Sequence, residues 1–165
     1  MASNRIGPEP KAGDLIEFFR GGKFAPPAVR YQHWAVYVGN DYVVHVTGRD
    51  NEIPGGNLFV AASVPGTRAM VKMELLSKVA EGCEYRVNNK HDGKRRARSP
   101  EEIVQKALEQ VGQERPYSLT HENCEHFVME LRYGEPISDQ VRRKILHALG
   151  VLAGVIVTVG AMIIL

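Results

Sequence analysis

Residues 119–128 read LTHENCEHFV, a polar turn that runs into the first turn of a predicted helix. Cys124 stands where the turn and the helix meet. Apolar side chains then recur at three- and four-residue spacing through Leu131, which predicts one buried helical face. Gly134 is suited to the C-cap position that follows. We therefore predict a helix over residues 123–133 that carries a cysteine in its first turn.

A cysteine in a first helical turn has two common roles. The unpaired backbone N–H groups and the positive end of the helix dipole both favour the thiolate, so the pKa of Cys124 is expected to fall by about a unit or more from its ordinary ~8.5. The alternative is a small buried hydrophobic residue, the commonest fate of a free cysteine. The helix alone does not decide between a nucleophile and a core residue.

A thiolate nucleophile needs a base within hydrogen-bond reach and a third group that orients the base. Six histidines are present. His147 lies in an apolar segment and His91 lies in a basic loop, so both are poor candidates. His126 lies about 200° around the helix from Cys124 and cannot easily face the same cleft. The remaining candidates are His121, just before the helix, and the pair His33 and His45.

His33 and His45 belong to a predicted hairpin in which residues 39–41, Gly-Asn-Asp, connect two strands. If all three residues form the loop, Ala35 pairs with His45, and the two histidines share one face about 7–8 Å apart. A two-residue loop would turn His45 to the opposite face. His33 and His45 are therefore predicted to lie on the same face only if the loop has three residues.

The other regular segments predict an α+β fold, in which an antiparallel sheet of four to six strands packs on helices. Ser99 and Pro100 mark the N-cap and first position of a helix over residues 100–111, closed by Gly112. Residues 21–28 contain two glycines and two prolines and are typical of a loop. The apolar stripe of the helix comprises Ile103, Val104, Ala107, Leu108 and Val111. The strand candidates cover residues 14–19, 34–38, 42–46, 58–61, 69–75 and 84–87.

Composition indicates one globular domain with an additional segment: the chain has 165 residues, 44% hydrophobic and 24% charged, with a net charge of +2. Two cysteines are too few for a disulfide framework, which favours a reducing compartment, and Cys83 is assigned no role. The sequence shows neither a calcium loop nor a zinc-binding pattern.

The additional segment is residues 145–165, which contain no Asp, Glu, Lys or Arg. As a helix it would cover the ~30 Å hydrocarbon core of a bilayer, and the alternative of a buried core helix would need a larger protein around it. Arg142, Arg143 and Lys144 precede it, which favours a cytosolic domain. We predict a single-pass C-terminal tail anchor at the cytosolic face of an intracellular membrane whose organelle is unspecified.

Residues 90–98 carry a run of positive charge. Such a run is most often a solvated loop, but beside a membrane each charge adds about 1 kcal/mol of attraction to an anionic leaflet. Nucleic acid is not a predicted partner, because aromatic residues do not alternate with the charges and no basic helix is present. The candidate membrane-contacting residues of the run are Lys94, Arg95, Arg96 and Arg98.

The helix motif and five upstream or downstream motifs, in this order along the chain, resemble one family. They are PKAGDLIE at 10–17, HWAVYVG at 33–39, YVVH at 42–45, VNNKHD at 87–92, NCEHFV at 123–128 and LRYG at 131–134. The ordered set resembles the phospholipase A/acyltransferase (H-Ras-like suppressor) branch of the lecithin:retinol acyltransferase-like, NlpC-type cysteine enzyme superfamily. The resemblance covers roughly residues 8 to 145.

The resemblance implies a circularly permuted papain-like fold, in which the histidine strands precede the cysteine helix. It also implies Cys124 as the nucleophile, His33 as the general base and acid, and His45 as the third triad member that orients His33. Arg20 corresponds to an arginine that the family keeps near its site. Tyr31 and Asn123 are further candidates for supporting roles.

The implied activity is that of a calcium-independent phospholipase A, acting at the sn-1 or sn-2 ester, and of a phospholipid acyltransferase, through a cysteine thioester. The implied substrates are the glycerophospholipids phosphatidylcholine and phosphatidylethanolamine, with N-acylation of the latter and O-acylation of a lysophospholipid. No metal or other cofactor is expected. The predicted organisation is a flexible lead-in at 1–12, a catalytic domain at 13–136, a basic juxtamembrane segment at 137–144 and the anchor at 145–165.

Three other interpretations are compatible with parts of the sequence. A papain-like peptidase or isopeptidase would use the same cysteine and histidines, but such enzymes begin with the cysteine, and an anchor with a basic loop fits a lipid substrate better. A non-catalytic membrane module that binds lipid or recruits partners would need no nucleophile. A thiol–metal site built from Cys124 and His126 is the weakest of the three. The oligomeric state is not predicted.

Overall fold

The computed structural model describes residues 4–22, 30–48, 68–116 and 122–134. In chain order the described elements are β1 (Arg5–Ile6), β2 (Leu15–Arg20), β3 (Tyr31–Gly39), β4 (Tyr42–Gly48), β5 (Arg68–Leu75), α1 (Leu76–Ala80), β6 (Tyr85–Val87), α2 (Pro100–Gln110), β7 (Glu114–Pro116) and α3 (Glu122–Tyr133). The strands form one sheet in the order β1-β6-β2-β3-β4-β5-β7. The predicted α+β class is confirmed.

Several elements differ from the prediction. β1 lies within the segment interpreted as a lead-in and pairs parallel with β6, so the sheet is mixed rather than wholly antiparallel. The short α1 and β7 were not predicted. The candidate strand at 58–61 and most of the loop at 21–28 lie outside the described residues. Within the described ranges every helix is too short or too polar to cross a membrane, and the predicted anchor at 145–165 lies outside those ranges.

The hairpin between β3 and β4 reaches the predicted histidine register by a different route. Gly39 pairs with Tyr42, so the turn has two residues rather than three, and both turn residues, Asn40 and Asp41, have positive φ of 50° and 60°. This turn matches the right-handed twist of the flanking strands. A β-bulge between Tyr37 and Gly39 places one extra residue in β3, which compensates for the shorter turn. The predicted three-residue loop is wrong, but the predicted pairing of Ala35 with His45 is confirmed.

The sheet has a buried cluster on each face because strand side chains alternate. Trp34 and Val36 of β3 belong to a core cluster with Phe127 and Val128 of α3. Ala35, the residue between Trp34 and Val36, belongs to a second cluster with Phe18, Val43, and α1 residues Leu76 and Val79. The histidines therefore lie on the α1 face, and most of α3 packs against the opposite face.

α2 begins where the sequence predicts, with the Ser99 hydroxyl accepting the Glu102 N–H at 3.2 Å. Its apolar stripe is only partly buried. Ile103 and Ala107 have no exposed surface, whereas Leu108 is 45% exposed and Val111 is 39% exposed. The helix therefore packs on the core mainly through Ile103 and Ala107, and the rest of the stripe is partly exposed.

Arg98 anchors the end of α3, because its guanidinium donates to the carbonyls of Glu130 and Leu131 at 2.6 and 2.9 Å. It also pairs with Glu102 at 3.0 Å. These contacts satisfy carbonyls that a helix end leaves unpaired. Arg98 therefore has a structural role within the domain, and its contact with a membrane stays a prediction.

Arg132 ties α3 to the rest of the domain. Its guanidinium contacts both carboxylate oxygens of Asp92, at 3.0 and 2.8 Å, and donates to the Gly13 carbonyl at 2.7 Å. The Arg132 side chain is 11% exposed, and hydrogen bonds to charged groups are worth about 1.5–3 kcal/mol each before screening. Because the Asp92 side chain is 45% exposed, screening by solvent reduces that value.

We expect Arg132→Met to lower the free energy of unfolding by about 2–3 kcal/mol, because it leaves the Asp92 carboxylate without its main partner. Urea denaturation at pH 7 measures the loss. Arg68→Met is the control, since the Arg68 side chain is 67% exposed in its ion pair with Glu114 and such a pair is worth at most about 1 kcal/mol. Equal losses in the two variants would contradict the proposed role of Arg132.

Candidate active site

His33 and His45 form a buried pair at the centre of the sheet. Nε2 of His33 lies 2.8 Å from Nδ1 of His45, and the rings meet edge to face with centroids 5.1 Å apart. The two side chains are 5% and 4% exposed. The bulge in the hairpin places both residues on the same face, as the register argument requires. The predicted proximity of the two histidines is confirmed.

Glu74 extends the pair by one carboxylate. Its Oε2 lies 2.8 Å from Nε2 of His45, and its Oε1 lies 2.5 Å from Nζ of Lys78 on α1. The hydrogen bond from His45, assisted by Lys78, lowers the pKa of Glu74 to about 2. Glu74 was not singled out from the sequence. Its position follows from the β4–β5 register, which sets Glu74 opposite Val43 and diagonal to His45 on the same face.

The surroundings of His33 favour its neutral form. The ring packs 5.9 Å from the ring of Phe18, and burial removes water from the imidazole. Desolvation first, and then the charges of His45 and Arg20, lower the pKa of His33 well below its ordinary value. A neutral imidazole has one nitrogen able to accept a proton, which suits His33 to the role of general base.

Cys124 is the third residue of α3, in its first turn as predicted, and it is 1% exposed. Burial raises the pKa of the Cys124 thiol to about 11, and the nearby Glu125 carboxylate acts in the same direction. The predicted lowering of this pKa is wrong for the conformation described, because desolvation outweighs the helix end and the backbone N–H groups. At neutral pH the thiol is protonated, so a nucleophilic Cys124 needs a base.

The sulfur of Cys124 lies against the strand that carries His33. Sγ is 3.9 Å from the carbonyl oxygen of Gln32, and the backbone N–H of Trp34 also contacts the sulfur. Those two residues flank His33 in the chain. The structure thus brings the thiol to the backbone on either side of His33, and a hydrogen bond between the thiol and the imidazole stays a prediction.

The other histidines are distributed as follows. His126 is half-buried on α3. His91 is 5% exposed, and its ring meets the ring of Tyr133 edge to face at 5.9 Å, so it belongs to the packing of the 88–98 loop rather than to a solvated basic surface. His121 and His147 lie outside the described residues.

The three candidate supporting residues have different surroundings. Arg20 donates to the carbonyls of Val79 and Ala80 at the end of α1 and pairs with Glu81 at 3.6 Å, so it anchors α1 while its charge acts on His33. Tyr31 is half-buried, and burial raises the pKa of its hydroxyl. Asn123 lies in the first turn of α3, and its side chain is outside the described part of the structure.

A cavity of about 530 Å³ opens beside the start of β3. Tyr31 and Gln32 line it, together with Arg20 and Arg30. Gln32, whose carbonyl contacts the Cys124 sulfur, is thus shared between the lining of the cavity and the surroundings of the thiol. Cys83 lines the same cavity, and burial raises the pKa of its thiol. Sequence reasoning did not predict this cavity, because its walls come from separate parts of the chain.

Similarity to known proteins extends over most of the chain. A family model described as Lecithin retinol acyltransferase matches residues 8–137. The chain is 49% identical to Phospholipase A and acyltransferase 2 of Homo sapiens, over 90% of this chain and 86% of the relative. It is 50% identical to Phospholipase A and acyltransferase 3 of Homo sapiens, over 86% and 82%. It is 42% identical to Phospholipase A and acyltransferase 4 of Homo sapiens, over 92% and 88%.

Proposed function

The chain belongs to the lecithin retinol acyltransferase family, and from this premise we propose that it is a phospholipase A and phospholipid acyltransferase that works through a thioester on Cys124. The observation that carries the mechanism is the buried pair of His33 and His45, of which His33 lies on the strand whose backbone contacts the Cys124 sulfur. The α+β sheet, with its histidine strands before the cysteine helix, supports assignment to the circularly permuted papain-like fold.

The first half of the reaction transfers an acyl group to sulfur. His33 accepts the thiol proton as the Cys124 sulfur attacks the ester carbonyl of a glycerophospholipid. Backbone N–H groups in the first turn of α3 are suited to bind the oxyanion of the tetrahedral intermediate. The C–O bond then breaks, the lysophospholipid oxygen takes the proton from His33, and the acyl group remains on Cys124 as a thioester. His45 orients His33 throughout.

The second half transfers the acyl group from sulfur to an acceptor. His33 takes a proton from the acceptor as its oxygen or nitrogen attacks the thioester, and it returns that proton to the departing sulfur. Water as acceptor gives a free fatty acid. The amine of phosphatidylethanolamine gives an N-acyl phospholipid, and the hydroxyl of a lysophospholipid gives an O-acylated product. Neither calcium nor another cofactor takes part in these steps.

The burial of Cys124 sets a condition on the substrate. The sulfur is 1% exposed and surrounded by apolar side chains, so an ester carbonyl must open a path to reach it. The cavity lined by Gln32 is the candidate for such a path. Within it Arg20 and Arg30 provide positive charge, which suits a phosphate-bearing lipid better than a neutral peptide.

Attachment to a membrane is part of the proposal. Residues 145–165 would anchor the chain from the cytosolic side and raise the local concentration of an insoluble substrate. Lys94 and Arg96 are exposed and remain candidates for contact with an anionic leaflet, with the partly exposed Arg95 beside them.

A product assay tests the proposed function. The full chain, purified in detergent with a thiol reductant, is mixed with vesicles of phosphatidylcholine and phosphatidylethanolamine whose acyl chains are isotopically labelled. We expect labelled fatty acid and labelled N-acyl phosphatidylethanolamine, at the same rate with calcium or with a chelator. Absence of both products from freshly reduced protein would refute the enzyme proposal, and release of peptide fragments from a protein substrate instead would favour the peptidase.

A further inference from the structure

Glu74 closes a chain of hydrogen bonds that starts at His33. His33 contacts His45, His45 contacts Glu74, and the other carboxylate oxygen of Glu74 contacts Lys78. Both imidazoles are almost wholly buried, so water does not compete for their nitrogens. The protonation of one member therefore decides the protonation of the next.

The direction of these hydrogen bonds follows from the carboxylate. The low pKa of Glu74 keeps it ionised, and an ionised carboxylate only accepts hydrogen bonds. Nε2 of His45 must then carry a proton, and in a neutral ring this leaves Nδ1 as an acceptor. Nε2 of His33, 2.8 Å from that acceptor, must donate to it. The lone pair of His33 consequently lies on Nδ1.

We propose that Glu74 is a positioning residue of this site: through His45 it fixes the tautomer of His33, so that Nδ1 of His33 is the atom that accepts the Cys124 proton. The assignment of the tautomers rests on the two hydrogen bonds and on an ionised Glu74, and its catalytic consequence rests on the proposed function. The thiol proton moves to Nδ1 and later to the leaving oxygen. Nε2 of His33 remains protonated throughout, and Glu74 remains a carboxylate.

Other charged and titratable groups also face the histidine pair. Lys78 extends from α1, Lys72 lies opposite His45 on β5, Arg20 lies at the end of β2, and Tyr31 lies two residues before His33. Lys78, Lys72 and Arg20 have only hydrogen-bond donors, and the Tyr31 hydroxyl can donate or accept. Glu74 is thus the carboxylate that the pair contacts. Without it, we expect the histidine rings to occur as a mixture of tautomers.

The direct test is nuclear magnetic resonance of the full chain with ¹⁵N-labelled histidine in detergent micelles at pH 8, above the ordinary histidine pKa of about 6.5. Single histidine substitutions assign the signals. We expect both His33 and His45 as the Nε2–H tautomer in the wild type. A wild-type His33 that carries its proton on Nδ1 would overturn the proposal, whether or not any variant folds.

Three substitutions separate positioning from simple structural support. Glu74→Met removes the acceptor at similar size, and we expect mixed tautomers of His45 and a kcat lowered about 10- to 100-fold with KM nearly unchanged. Glu74→Gln keeps an acceptor oxygen and should restore the tautomer and most of kcat. Glu109→Met makes the same change at an exposed position of α2, away from the histidine pair, and should behave as the wild type. Unchanged tautomers in Glu74→Met would refute the positioning role.

The spectroscopic and kinetic results distinguish the two proposals. If the tautomers are as expected and change in Glu74→Met, but the wild type releases neither fatty acid nor N-acyl lipid, the proposed function fails and the control of the histidine pair by Glu74 stands. If lipid products form and the tautomers differ from those expected, the function stands and the role of Glu74 fails.

Discussion

Replacement of Cys124 with serine is expected to lower kcat for acyl release by at least about 10⁴-fold, because the acyl-enzyme route depends on sulfur as the attacking atom. A serine hydroxyl has nearly the same size, but its proton is far harder to remove, and His33 is a neutral base of lowered pKa. The measurement is steady-state release of labelled fatty acid from phosphatidylcholine vesicles by the full chain.

Cys83→Ser is the matched control for this prediction. Cys83 lines the neighbouring cavity and is half-buried, and it takes no part in the proposed chemistry. We expect its kcat to stay within about threefold of the wild type. Because a hydroxyl at the buried position 124 costs stability, Cys124→Ala should be measured alongside. Residual activity of either Cys124 variant within tenfold of the wild type would contradict the assignment of the nucleophile.

Replacement of His33 with glutamine is expected to lower kcat by about 10³-fold, since general acid–base catalysis contributes about 10²–10⁴-fold. Glutamine keeps a polar group beside His45 but cannot take up the thiol proton. His126→Gln, on α3, is the control and should retain most of the activity. Loss of activity in the control as large as that in His33→Gln would favour His126 as the base.

The activity is expected to depend on pH through His33. Burial lowers the pKa of His33 below its ordinary value near 6.5, so the imidazole stays neutral as the pH falls below 6.5. The thiol stays protonated up to a pKa of about 11. Wild-type kcat/KM should therefore stay level from about pH 7 to 9 and fall only when the pH drops through the lowered pKa of His33. A midpoint at or above pH 6.5 would contradict this account.

The histidine pair shows what strand periodicity predicts and what it does not. Alternation of side chains and the pairing of Ala35 with His45 depend only on the hairpin register, and both are confirmed. The bulge that produces this register could not be read from the sequence, since residues 39–41 are equally suited to a three-residue loop. The free energy of the two-residue turn, with its positive φ at Asn40 and Asp41, decides between them.

Neither the contact of Glu74 with His45 nor the raised pKa of Cys124 could be predicted from the sequence, because both depend on the tertiary structure. Glu74 meets His45 through the β4–β5 register, and residues 49–67, which connect those strands, carry no pattern that sets it. For Cys124 the local rule of a cysteine at a helix start predicts a lowered pKa, but burial within the core cluster reverses the direction. The desolvation of Cys124 depends on distant segments of the chain that pack around it, and the sequence near Cys124 gives no information about that packing.

Mass spectrometry of the intact Cys83→Ser chain, quenched in acid within its first turnovers of dipalmitoyl phosphatidylcholine, tests directly for a thioester on Cys124. We expect an added mass of one palmitoyl group, located on the peptide that contains Cys124 and removed by neutral hydroxylamine, as a thioester requires. Palmitate on any other residue, or continued release of fatty acid in the same sample without an acylated chain, would contradict a thioester mechanism at Cys124.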